Sequence, residues 1–239
     1  MDSLRLEPER RGSATLAAPG GPAAARDFAL ALDPPRRRAL GLFLRHLACG
    51  ERVAQRATAL QVALAPDAHA LRFHRTQARH EALHARVFDV FARSLGVPPL
   101  AFPDDPYARY LRHVAEACGR GDYPETLIGT QVVLEALGDA LLERLDAGLT
   151  RRGAGFERLR RVIRAQETAH HAYGRARIAR YAAQRELQPA LREATRTYLA
   201  LGDALIAAGA SALEHFAVAP TVIAADVRAR IPAWLMDSA

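Results

Sequence analysis

Two four-residue words, Glu81-Ala-Leu-His84 and Glu167-Thr-Ala-His170, constrain this chain more than any other feature. Each sets a carboxylate and an imidazole three residues apart, a spacing that places both on one face of a helix. Each is preceded by a lone glutamate, Glu51 or Glu135, that interrupts an otherwise apolar helical seam. A chain of 239 residues with 13 Glu and 9 His contains about half a Glu-x-x-His word by accident. Two words, on different helical stretches and each with its own lone Glu upstream, exceed that expectation.

The seams themselves are read from residues spaced alternately by three and four. Asp33-Pro34-Pro35 opens a first long helix that runs to about residue 65 and presents Leu40, Leu44, Leu47, Glu51, Ala54, Thr58 and Val62 along one side. Asp67 caps a second, ending near Gly96, with Ala70, His74, Gln77, Glu81, His84, Phe88, Phe91 and Leu95 inward. A connection over 97–122 holds a short amphipathic helix with Tyr107, Tyr110, Leu111 and Val114 as its inner residues. Asp122-Tyr-Pro-Glu125 resembles a capping box and starts a third long helix, to about residue 147, with Ile128, Val132, Glu135, Leu142 and Leu145 on one side. A Gly-rich turn over 148–155 leads to a fourth, whose inner side carries Phe156, Leu159, Ile163, Glu167, His170, Gly174, Ile178 and Tyr181. After Pro189 a fifth helix is expected to about Phe216, followed by a short C-terminal segment ending in Trp234. The expected class is all-α: a four-helix bundle with a long crossover that contains a short helix, plus a fifth C-terminal helix. Residues 1–33, rich in Gly, Pro, Ala and charge without periodicity, read as a flexible N-terminal arm to a helical domain over 34–239.

Four inward carboxylates repel one another and pay heavily for leaving water, so protons or cations must neutralise them. With two neutral imidazoles they balance two divalent ions. Carboxylate-dominated oxygen and nitrogen ligation suits iron or manganese better than a structural zinc site rich in Cys and His. The ligand order Glu, Glu-x-x-His, Glu, Glu-x-x-His over four long helices resembles that of the ferritin-like di-iron carboxylate superfamily. The steps of 30, 54 and 32 residues between successive glutamates are similar to those of demethoxyubiquinone hydroxylase and the aldehyde deformylating oxygenases. Ile163 stands where the arylamine N-oxygenases carry a further His, which separates the chain from that subgroup.

The resemblance implies a ferritin-like bundle in which Glu51, Glu81, His84, Glu135, Glu167 and His170 hold two iron ions, with manganese or a mixed pair as alternatives. It implies an oxygen-activating oxidoreductase, an oxygenase or oxidase, with O2 as co-substrate, a small and mostly apolar organic substrate, and a separate electron donor. The rival readings are a ferroxidase or iron-binding protein without an organic substrate, and a bundle that keeps the pattern without metal. Where many relatives place Asp before each Glu-x-x-His, this chain has His80 and Gln166. Gln166 toward His84 and His80 toward His170 are the expected replacements, against plain exposure. Asp139, one turn beyond Glu135, reads as a proton carrier or extra ligand, or else as the partner of an Arg across helices. Gly138 reads either as room beside the metals or as a close helix contact. His171 competes with His170 in angle, but the three-residue spacing favours His170. His74 reads as a buried, hydrogen-bonded core residue or as channel lining, and Tyr173 and Tyr181 as packing or redox groups.

All 33 basic residues are Arg, and the formal charge is +7. Acidic residues are interspersed with them along the helices, and short runs such as Arg36-Arg37-Arg38 read as solvated helix starts, so nucleic acid is not the expected partner. Cys49 and Cys118 are too few and too distant for a disulfide framework or a Cys-type metal site, which fits a cytoplasmic location. No apolar run approaches a membrane span, and a homodimer is compatible with everything above.

Overall fold

The computed structural model describes residues 33–101, 105–150 and 157–237. The expected N-terminal arm, most of the Gly-rich turn and Phe156 lie outside these. Every regular element among the described residues is helical, and no helix is long and apolar enough to cross a membrane.

Helix α1 (Pro34–Gln61) begins where Asp33 accepts the N–H of Arg36 at 2.9 Å, with two prolines in the first turn. The expected seam of Leu40, Leu44, Leu47, Glu51, Ala54 and Thr58 is buried. Helix α2 (Ala68–Ser94) is capped by Asp67, which accepts the N–H of Ala70 at 2.7 Å, and lies along α1 over most of its length. The two are locked at one end by Arg45. Its buried guanidinium reaches Asp89 at 2.6 Å and holds the carbonyl of Val97 just past α2. At that turn Gly96 takes φ +79°, a left-handed conformation that glycine adopts without strain.

The crossover helix α3 (Pro106–Gly119) starts at Asp105, which accepts from Tyr107 and Ala108, and packs between α1 and the later helix α7 (Gln188–Ala208). The third long helix is not continuous as the periodicity predicts. A short α4 (Tyr123–Leu127) opens into a π-helical segment over Ile128–Leu134 before the α-helix α5 (Glu135–Thr150) resumes. Residues 126–137 are all buried, so this stretch is interior on every side and has no amphipathic face to reveal its period. Helix α6 (Glu157–Ala182) packs against α5 and the π segment.

The C-terminal part is more helical than the sequence implies. α7 stops at Ala208 and a break at Gly209 separates it from α8 (Ala210–Glu214), instead of one helix running to Phe216. The expected short tail contains α9 (Pro220–Arg230) and α10 (Ala233–Met236). α9 packs on α5 and α7, with Ile223 and Val227 buried.

Candidate metal centre

Four helices bring the six expected ligands into one place. Glu51 comes from the middle of α1, Glu81 and His84 from α2, Glu135 from the first residue of α5, and Glu167 and His170 from α6. All six are buried. Their ligand atoms fall into two overlapping groups, Glu51, Glu81, His84 and Glu167, and Glu81, Glu135, Glu167 and His170, each with its atoms within 4.8 Å of one another. Glu81 and Glu167 belong to both groups. Each group adds one further carboxylate and one imidazole, so the pattern is two adjacent positions spanned by two shared carboxylates.

Both imidazoles turn Nδ1 inward. His84 Nδ1 lies 3.0 Å from Glu167 Oε1, 3.1 Å from Glu81 Oε2 and 3.5 Å from Glu51 Oε2. His170 Nδ1 lies 2.9 Å from Glu81 Oε1 and 3.5 Å from Glu135 Oε2. Yet both Nδ1 atoms, both oxygens of Glu81, Glu135 Oε2 and Glu167 Oε1 are buried without a hydrogen bond in proper geometry. Buried polar atoms left this way are rare and demand a partner. Six of them converging on two points, with a donor set of carboxylate oxygen and imidazole nitrogen, fit a pair of divalent cations.

Charge leads to the same conclusion. Burial, reinforced by the Glu167 carboxylate, pushes the carboxyls of Glu51 and Glu135 well above the ordinary range. Burial alone would lower His170, but the carboxylates of Glu135 and Glu81 override it and push it up to about 11. His84 is raised in the same way by Glu167, Glu51 and Glu81, against its own burial. Glu81 meets both imidazoles, which outweigh its desolvation and hold it down at about 2. The free cluster therefore stores protons that cations would displace.

The outer nitrogens are held as well. His84 Nε2 is 2.8 Å from Gln166 Oε1, and His170 Nε2 is 3.2 Å from His80 Nδ1. An amide oxygen only accepts, so a neutral His84 keeps its one proton on Nε2 and leaves Nδ1 free to ligate. Burial and the neighbouring His170 keep His80 below its ordinary range, hence neutral and able to accept from His170. Asp139 instead pairs with Arg230 of α9 at 3.0 Å. His171 faces the π segment, with Nδ1 3.0 Å from the carbonyl of Gln131. His74 is fully buried and bonded to the hydroxyl of Tyr123 at 2.8 Å, as a core histidine. Tyr173 stacks on Phe73, ring centroids 3.5 Å apart.

Two features escaped the sequence reading, and a third, the space beside Gly138, was one of the two readings offered for that residue. The first is Gln77, whose Nε2 donates to Glu135 Oε1 at 2.6 Å. The second is the π segment, in which the N–H of Glu135 bonds to the carbonyl of Thr130, five residues back, instead of to that of Gln131. The third is a cavity of about 50 Å³ against the cluster, lined by Glu51, Glu135 and Glu167 on one side and by side chains such as Phe43, Leu137, Leu205 and Ile206 on the other. Gly138 belongs to that lining, and a Cβ there would stand 3.1 Å from Glu167 Oε2. No model of a known protein family matches the chain, and no curated protein matches it by sequence.

Proposed function

We propose that this protein is an oxygen-dependent, non-haem di-iron oxidoreductase of the ferritin-like kind, acting on a small, mostly apolar organic molecule. The observation that carries the reading is the pair of overlapping carboxylate and imidazole groups opening on an apolar cavity. Glu81 and Glu167, common to both groups, would hold the two ions together with Glu51 and His84 at one position and Glu135 and His170 at the other. Two Fe(II) ions bound there supply electrons for the reduction of O2, with a separate donor protein to restore them and manganese as an alternative occupant. The chain's own work is orientation and exclusion of water. Gln166 and His80 fix the tautomers of the two ligating imidazoles. The aliphatic wall holds an uncharged substrate beside Glu135 and Glu167, where Gly138 leaves space that a side chain would fill. The apolar lining of this small cavity, rather than its volume, favours an organic molecule over iron as the substrate.

Metal content tests the reading, measured on protein from iron- and manganese-supplemented growth beside a Glu81→Ala, Glu167→Ala variant. The expected result is about two ions per chain, absent from the variant, with an absorbance change when the reduced protein meets O2. Failure of the wild type to take up Fe(II) under anaerobic reconstitution would overturn it. Two ions with oxygen consumption but no turnover across an organic substrate panel, together with uptake beyond two ions, would establish the ferroxidase instead.

A further inference from the structure

Beside the cluster lies a chain of three glutamines, all of them almost wholly buried: Gln61 at the end of α1, Gln131 in the π segment and Gln77 in α2. Gln61 and Gln131 face each other as a reciprocal amide pair, Nε2 to Oε1 at 2.9 Å one way and 2.7 Å the other. Gln131 Nε2 also donates to Gln77 Oε1 at 3.0 Å, and Gln77 Nε2 donates to Glu135 Oε1 at 2.6 Å. At the far end Gln61 Nε2 donates to Thr126 Oγ1, whose own proton goes to the carbonyl of Tyr123.

Both ends fix the direction of this chain. Thr126 has used its proton and can only accept, and at the other end Glu135 Oε1 accepts from Gln77, so every amide between them points one way. Turning any single amide would set like poles together at two contacts for Gln77 and at three for Gln61 or Gln131, in a buried site. Gln131 is itself immobilised. Its carbonyl, which the N–H of Glu135 would occupy in a regular α-helix, is met by His171 Nδ1. Its backbone also presses on Gly174 of α6, where a Cβ would come within 2.9 Å of it.

Glu51 has no such support. Among the described residues its Oε2 faces His84 Nδ1 at 3.5 Å, whereas Glu135 receives an amide N–H aimed at one oxygen and leaves the other, Oε2, facing His170. We propose that Gln61, Gln131 and Gln77 are positioning residues that hold Glu135 as a one-oxygen ligand and thereby make its metal position the tighter of the two. The inference rests on the di-metal reading of the cluster. It extends that reading to an order of filling, with the Glu135 and His170 position first and the Glu51 and His84 position, held by no amide, second.

Titration of the metal-free protein with Co(II), followed by calorimetry and by visible absorption, tests this in the wild type, in Gln77→Leu and in the Gln61→Leu, Gln131→Leu double variant. The double variant removes both partners of an amide pair together and leaves neither unpaired by the other, so it keeps the test open should Gln77→Leu not fold. The expected result is two resolved equivalents in the wild type. In both variants the first, tighter equivalent weakens about 10- to 100-fold, with altered absorption bands, and the second is unchanged, whereas weakening of the second alone would overturn the order of filling. Unchanged affinities and bands for both equivalents would overturn the inference while leaving the metal site intact. So would equal weakening of both equivalents alongside a lowered melting temperature, which is the mark of a merely structural role. A wild type that takes up no Co(II) would overturn the metal reading itself and this inference with it.

Discussion

The chemistry of the cluster is decided by side chains that cannot all keep their charges without a cation. In the metal-free protein the imidazoles of His84 and His170 and the carboxyls of Glu51 and Glu135 are all raised, His170 to about 11. The cluster as a whole therefore retains protons shared among these groups, and loading of divalent ions must expel them. We expect net proton release on loading, and metal affinity that climbs as pH rises. Calorimetric titration in buffers of different ionisation heat reads the release directly, and buffer-independent heats would contradict it. Gly138→Ala separates site from scaffold at the level of one atom. Alanine favours the helix by roughly 1 kcal/mol, yet its Cβ meets Glu167 Oε2 at 3.1 Å. Metal uptake should weaken about tenfold while the metal-free melting temperature holds or rises, and a variant with wild-type uptake would show that Glu167 yields freely. The six residues that converge were legible in the sequence because carboxylates on apolar seams are conspicuous. Gln77 was visible only as one more polar residue on its seam, and its hydrogen bond to Glu135 spans 58 residues that periodicity does not connect.

Among the elements, α1 and α2 with their buried faces follow from caps and spacing, and α6 from spacing alone, because each has one wet side against which the pattern stands out. The π segment did not, since a stretch buried all round has no polar face to betray its turn. Its place depends on Gly174. Replacement by Ala would drive a Cβ into Gln131, and we expect destabilisation of about 1–3 kcal/mol, together with impaired metal binding. Denaturant unfolding measures the first, and a neutral effect would mean that the contact relaxes. Asp67 joins elements in another way, since it caps α2 and pairs with Arg177 of α6. The Ala70 N–H and then Arg177 hold its carboxyl at about 2, below its usual value near 3.8. A depressed carboxyl stabilises the fold above its unfolded value and ceases to do so as pH falls through its folded one. Asp67→Ala should therefore lower the melting temperature at pH 6 and make progressively less difference toward pH 2. A difference independent of pH would assign the effect to helix propensity alone.

At the level of the molecule, carboxylates and imidazoles drawn from α1, α2, α5 and α6 would make the proposed metal centre a joint of the fold as well as a site. Ions that bind the folded chain and not the unfolded one raise its stability by mass action, by about 2.7 kcal/mol at a concentration one hundred times the dissociation constant. Chelation should lower the melting temperature accordingly, and reloading should restore it. Identical melting curves with and without Fe(II) or Mn(II) would mean that no such joint exists. The C-terminal helices, underestimated from sequence because their turns carry weak signals, brace this centre from outside: Arg230 of α9 ties down Asp139 and Glu143 of α5. The wide turn before Glu135 has one more consequence. An α-helix advances about 100° per residue, so deleting a single residue from 128–134 would give α5 a more regular backbone and rotate it against its capped start. Either Asp122 and Tyr123 or Glu135 would then lose their place. The chain holds one residue more than a straight helix needs, and that surplus is what allows the beginning of the helix and its ligand to face inward together.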